Sequence, residues 1–343
     1  MQRIVHSLLL LILFAPPLQA QDVHLSHIHA SPILLNPGMT GLFNGDMRLI
    51  ANARSQWQSV TKGYQTVTAS ADARLMQLGR NDIVAGGIQL YSDKAGDLDF
   101  TTRSASVMGS VLKSLSPFGN SFLSAGISLG FVGNSVNYSN IVAFDNEPAI
   151  ANGANDRTGY LDVSAGLSYF YSFDRDNSFH LGAAVQHLNK PNVSFFSDGP
   201  LNHGLSLYRK LVIHGGGDFR LSGKTFMKPT FIFLDQGPHR EMTMGTFMKY
   251  KTLKYDNQNK GTAIYVGAWL RWYHVNNVTG TDAIIAAVRM DYKSTFITFS
   301  FDLNISTLTD VSYGRGGPEL SIVKILDYKR TNRRSIKVQC PDF

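Results

Sequence analysis

Residues 161–173 read Leu-Asp-Val-Ser-Ala-Gly-Leu-Ser-Tyr-Phe-Tyr-Ser-Phe. The odd positions Leu161, Val163, Ala165, Leu167, Tyr169, Tyr171 and Phe173 are all apolar. The even positions Asp162, Ser164, Gly166, Ser168 and Ser172 are small or polar, and Phe170 is the exception. Successive side chains of a strand point to opposite faces, so this segment has one greasy face and one wet face. It is also long beside the roughly 5–6 residues usual for a strand in a soluble protein. The apolar face ends in aromatic rings, as a strand does where it meets a membrane interface.

The same alternation recurs along the chain. Val67, Ala69, Ala71, Ala73 and Leu75 oppose Thr66, Thr68, Ser70, Asp72 and Arg74, and Ile297, Phe299, Phe301 and Leu303 oppose Thr298, Ser300, Asp302 and Asn304. Ile264, Val266, Ala268 and Leu270 oppose Tyr265, Gly267, Trp269 and Arg271. Asp72, Arg74, Arg271, Arg289 and Asp302 all fall in the polar phase. An Arg or Lys on the lipid face at mid-membrane costs about 2–4 kcal/mol, which accounts for that phasing. The reading is an all-β fold, a transmembrane antiparallel β-barrel in the outer membrane. Its strands are expected at 46–60, 64–78, 82–94, 98–115, 121–137, 160–173, 178–190, 206–221, 225–235, 240–252, 262–274, 282–293, 294–306 and 317–328, about fourteen in all. Short turns and long loops alternate between the two ends, which predicts periplasmic termini. Residues 251–261 are the one long connection on the periplasmic side. The longest loops, 138–159 and 191–205, are expected outside. A soluble sandwich or lipocalin-like barrel would bury its apolar face inward and fits so many strands poorly.

The ends are different in character. Arg3, an apolar run over 4–15 and Ala20 before Gln21 form a signal-peptide pattern over 1–20, with an N-terminal anchor as the alternative. Residues 21–45 lack a two-residue period and read as a periplasmic or lumen-filling leader, the barrel spans 46–328, and 329–343 is a basic periplasmic tail. No run in the mature chain reaches the roughly 20 apolar residues of a membrane helix. The formal charge of +7 is not gathered into basic patches interleaved with stacking aromatics, so no nucleic-acid partner is expected. Cys340 is the single cysteine, which excludes an intrachain disulfide and a cysteine-based metal site. His24, His27 and His29 lie close together, but no cysteine or carboxylate cluster completes a metal set. Gly215-Gly216-Gly217 and Gly314-Arg315-Gly316-Gly317 precede no helix and so cradle no phosphate. No short motif such as G-x-S-x-G places a nucleophile. No catalytic, cofactor or metal residues are assigned, and the chain is expected not to be an enzyme.

Four short motifs in order add a resemblance. Ser31-Pro32-Ile33-Leu34-Leu35-Asn36-Pro37-Gly38-Met39-Thr40-Gly41 follows Gln21-Asp22, and Asn52-Ala53-Arg54-Ser55-Gln56-Trp57 lies on the first strand. Gly317-Pro318-Glu319-Leu320-Ser321 lies on the last strand and Cys340-Pro341-Asp342-Phe343 ends the chain. Together these resemble the PorP/SprF family, with its N-P-x-x-x-G leader, R-x-Q-W strand, G-x-E-[IL]-S strand and C-P-x-F end. The leader is His-rich where the family's is usually aromatic-rich, and Ala53 stands where Tyr is common. The resemblance implies an outer-membrane protein of the type IX secretion and gliding machinery of Bacteroidota. It implies as partners the outer-membrane lipid, periplasmic components of that system and a secreted surface protein or adhesin, with no cofactor. Asn36, Pro37, Arg54, Gln56, Trp57 and Glu319, with Arg333, Arg334, Cys340, Pro341 and Phe343 of the tail, are the motif or partner-contact candidates. A passive porin and, less favoured, an outer-membrane hydrolase are the alternatives.

Overall fold

The computed structural model describes residues 30–56, 63–79, 81–96, 98–137, 156–195, 205–252, 261–276, 278–305 and 315–327. The signal-peptide region, His24, His27, His29 and the basic tail lie outside these residues. Fourteen strands follow in chain order: β1 (Met47–Gln56), β2 (Tyr64–Leu78), β3 (Asp82–Ala95), β4 (Phe100–Ser114), β5 (Ser121–Ser135), β6 (Arg157–Ser172) and β7 (Ser178–Gln186), then β8 (Lys210–Ser222), β9 (Thr225–Gln236), β10 (His239–Lys251), β11 (Thr262–Val275), β12 (Val278–Tyr292), β13 (Thr295–Asn304) and β14 (Arg315–Leu326). Each pairs antiparallel with its neighbours in sequence, and β14 returns to β1 with Met47 opposite Leu326 and Arg54 opposite Glu319. Closure leaves no unpaired strand edge, the condition for crossing a bilayer with strands. The expected fold is the observed one.

Several strand ends shift from expectation, and two of the largest shifts have a backbone reason. β12 starts at Val278 rather than near 282, because Asn276 takes φ 45° and turns the chain tightly after β11. Asn is among the few residues that visit this left-handed region readily. β7 stops at Gln186 rather than 190, because His187 and Lys190 have φ 56° and 44°. β8 begins at Lys210, and only an isolated bridge between Asn192 and Ser206 precedes it.

The faces divide as the alternation requires. Val67, Ile88, Val107, Ile127, Leu161 and Val266 are each more than half exposed on the outer wall. Asp72, Arg271, Arg289 and Asp302 are buried on the lumen side. Phe170, the residue out of phase in β6, also faces the lumen, where it packs with Leu42, Ile83, Ala85, Leu112 and Phe122. The lumen is therefore not a uniformly wet channel. It holds apolar clusters, and the leader supplies a member of three of them.

Candidate functional site

The described leader begins at Ala30 and runs inside the barrel. Its helical turn α1 (Pro32–Leu35) and a 3-10 turn at Pro37–Met39 each start with proline, which suits a first helical position because no N–H is needed there. Leu35 packs with Ala184, Val212, Ile232 and Leu234, and Phe43 with Ile50, Phe296, Val323 and Ile325. Leu42 completes the third cluster with Phe170. Every residue from 30 to 43 is buried except Leu34, which is partly so.

Polar contacts fix the register of this plug. Asn36 is fully enclosed. Its Nδ2 donates to Leu167 O at 2.9 Å and to Ser168 Oγ at 3.1 Å, and lies 3.0 Å from His214 Nε2. Its Oδ1 accepts from Gly38 N at 2.8 Å, capping the 3-10 turn. The wall admits Asn36 and Pro37 because Gly126 and Gly166, paired across β5 and β6, have no side chains. A Cβ on Gly126 would lie 2.3 Å from Pro37 O, and one on Gly166 would lie 2.0 Å from Asn36 Oδ1. Gly41 has φ +76°, and its N–H donates to Asp72 Oδ2 at 2.8 Å. The same oxygen accepts from Arg48 Nη2 at 2.8 Å, and Arg48 lies 4.7 Å over the Phe43 ring. Arg74 Nε donates to Gly41 O at 3.1 Å, and its Nη2 donates to Phe43 O. Ser110 Oγ donates to Thr40 O at 2.6 Å, Asn52 Nδ2 to Ser31 Oγ at 2.6 Å, and Gln186 Nε2 to Leu34 O at 2.8 Å.

A second polar centre lies in the lumen half remote from the start of β1, at the β1/β14 seam. Asp302 Oδ2 accepts from Arg54 Nη2 and from Arg271 Nη2, both at 3.0 Å, and Arg271 also reaches Asp282 at 2.7 Å. Glu319 stands opposite Arg54 and is equally buried. Two motif residues from opposite ends of the sequence thus become neighbours when the barrel closes. Buried charges are tolerable only when paired in this way.

Between plug and far mouth lies a cavity of about 60 Å³ lined by Leu34, Tyr91, Ser104, Asp162, His187 and Lys210. His187 Nδ1 is 2.7 Å from Asp162 Oδ1, and beside them Asn189 Nδ2 donates to Leu161 O at 2.7 Å. These contacts tie the start of the β7–β8 connection to β6.

The structure therefore encloses Asn36 and Pro37, unites Arg54 with Glu319, and leaves Gln56 at the far end of β1 opposite Tyr64. Trp57, Arg333, Arg334, Cys340, Pro341 and Phe343 lie outside the described residues. Sequence reasoning missed His214, Arg48 and the Gly126/Gly166 pair. Their only advance signal is two glycines in the polar phase of consecutive strands.

The family model for the type IX secretion system membrane protein PorP/SprF matches residues 18–322. The chain belongs to the PorP/SprF family. It is accordingly an integral outer-membrane protein of type IX secretion, and the N-P-x-x-x-G element of this PorP/SprF chain lies against the lumen side of its barrel wall. A comparison with curated protein sequences finds no match. Among solved structures, the TodX monoaromatic hydrocarbon channel (a deltaS2 mutant) is similar at 10% identity over 86% of this chain and 93% of that one, with TM-score 0.47. The CymD monoaromatic hydrocarbon channel follows at 11% identity, 88% and 94% coverage and TM-score 0.45. A Pseudomonas aeruginosa FadL homologue follows at 8%, 81% and 88%, and 0.44. Likenesses this remote carry no inference about what this PorP/SprF barrel binds or conducts.

Proposed function

We propose that this protein is a non-enzymatic, plugged anchor that helps export a secreted partner and hold it at the cell surface, including during gliding. The observation that carries the reading is the leader: residues 30–43 fill the lumen and bind wall residues from β1 to β8. A barrel stoppered by its own chain is built to hold position rather than to pass solutes. On this reading the signal peptide over 1–20 is removed on export and both termini face the periplasm. The leader's entry and the tail 329–343 then lie toward the periplasmic machinery, and the long loops near 138–159 and 191–205 meet the exported partner. The Arg54–Asp302–Arg271 network stiffens the outer half of the wall. The motif residues Asn36 and Pro37 act by seating the plug, and Arg54 and Glu319 by locking the seam.

Planar-bilayer recording separates the anchor from the passive porin. The intact protein is expected to be silent, and a steady open conductance would refute the plugged reading. Co-purification from native outer membranes tests the anchoring. Removing 329–343 should abolish recovery of periplasmic components while the barrel stays heat-modifiable, and undiminished recovery would sink the docking role of the tail.

A further inference from the structure

Near the mouth where the leader joins β1, Phe226, Lys249, Tyr265 and Arg289 are direct cross-strand neighbours on the lumen side of β9 to β12. Cations and rings alternate along this row. Lys249 Nζ lies 5.2 Å from the centre of the Tyr265 ring and 5.7 Å from that of Phe226. Arg289 lies 4.8 Å over Tyr265, and Lys251 Nζ is 3.9 Å over Phe226. Most of the cations have a carboxylate: Lys228 pairs with Asp218 at 3.2 Å, Arg289 with Asp291 at 2.7 Å, and Lys251 with Asp176 at 3.4 Å. Asp176 is shared, since Arg220 also binds it at 2.8 Å.

Lys249 differs. It is 5% exposed, and among the described residues its ammonium forms no ion pair and no hydrogen bond. Cation–π contacts of about 0.5–2 kcal/mol offset only part of the cost of burying an ammonium. Among the described residues, five cations (Arg220, Lys228, Lys249, Lys251, Arg289) thus meet four carboxylates (Asp174, Asp176, Asp218, Asp291) at this mouth, and Lys249 is the one left over. Low-dielectric walls focus such an excess and attract an anion.

We propose that this row binds the carboxylates of an acidic peptide segment of a second protein, with Lys249 as the principal contact. Arg289 is already forked onto Asp291, which leaves lysine point charges rather than a bidentate phosphate clamp. The chain's own tail is a poor occupant, because Lys329, Arg330, Arg333, Arg334 and Lys337 would bring like charge to the mouth. That the partner is periplasmic rests on the orientation proposed above.

Fluorescence anisotropy of a labelled short polyglutamate peptide, titrated with the full-length protein in detergent micelles, tests the site. Saturable binding that weakens with salt is expected in the wild type. Lys249→Gln should weaken it by about tenfold or more, as removal of one member of a desolvated charge pair does. Lys113→Gln, at a rim lysine paired with Asp82, should leave it unchanged. Should Lys249→Gln not give a heat-modifiable barrel, Lys251→Gln carries the test and must itself weaken binding. Wild-type affinity in the folded variant would overturn the proposal. Equal competition by inorganic phosphate would show a generic anion site, and binding seen only after removal of 329–343 would assign the site to the chain's own tail; either result overturns it. Orientation does not enter the measurement, so its failure leaves the anchor reading intact.

Discussion

Gly166→Ala should unseat the plug without touching the leader's own sequence. The new Cβ would stand 2.0 Å from Asn36 Oδ1 and 3.0 Å from the Ala184 Cβ, so Asn36 has no room to stay. Its departure breaks the bonds to Leu167 O, to His214 Nε2 and from Gly38 N, at 2.9, 3.0 and 2.8 Å. Neutral buried hydrogen bonds contribute about 0.5–1.5 kcal/mol each, so docking weakens by about 3 kcal/mol. At about 1.4 kcal/mol per factor of ten, the undocked population rises roughly a hundredfold. The assay is maleimide labelling of Met39→Cys, a position 2% exposed in the plug, on a background in which Cys340 is replaced by Ser. Cys340 is the sole native cysteine, so the label reports the leader alone. Gly133→Ala is the control, because a Cβ there meets nothing within 4 Å. A labelling rate in Gly166→Ala within about threefold of the parent would refute the claim that Asn36 anchors the plug, being far below the shift those bonds imply.

Three further outcomes follow from the same contacts. Arg54→Ala removes one of the two cations on Asp302 and the one opposite Glu319 and should cost up to about 3–5 kcal/mol, seen as a lower temperature of heat modification. Leu42→Ala removes the leader's side chain from the cluster with Phe122 and Phe170 and should cost about 2–5 kcal/mol in plug docking, read by the same labelling assay. In the β6–β7 turn, the Asn177 side chain and then the Asp176 amide hold the Asp174 carboxyl below its usual range. Its contribution to the turn is present above the unfolded value of about 3.9 and fades as pH falls through the lower folded value. Asp174→Asn should therefore flatten the acid dependence of amide exchange at Asn177, and an unaltered profile would argue against the assignment.

The wall was legible because a strand repeats every two residues and lipid tolerates no misplaced charge, so Asp72, Arg271 and Asp302 could be assigned to the lumen from sequence alone. The contents of the lumen were not. Phe170 looked like an error in an otherwise regular strand, yet it is the surface on which Leu42 rests. Nothing local in residues 30–43 announces that surface, because the leader has no period and its partners lie far along the chain: Asn36 meets His214 across 178 positions. The pairing of Arg54 with Glu319 was within reach, since closing first strand on last sets the two motifs side by side. What periodicity cannot supply is the register, and only the register puts these two residues opposite each other. The Phe226–Lys249–Tyr265–Arg289 row escaped notice for the same reason, its members being unremarkable singly and a pattern only across strands.

The plug precedes β1 in the chain, and its wall partners Arg48, Asp72, Ser110, Ser168, Gln186 and His214 follow in strand order from β1 to β8. The last partner needed to close the seam, Glu319, comes near the end. The leader is thus available as a mandrel around which the sheet can be wound.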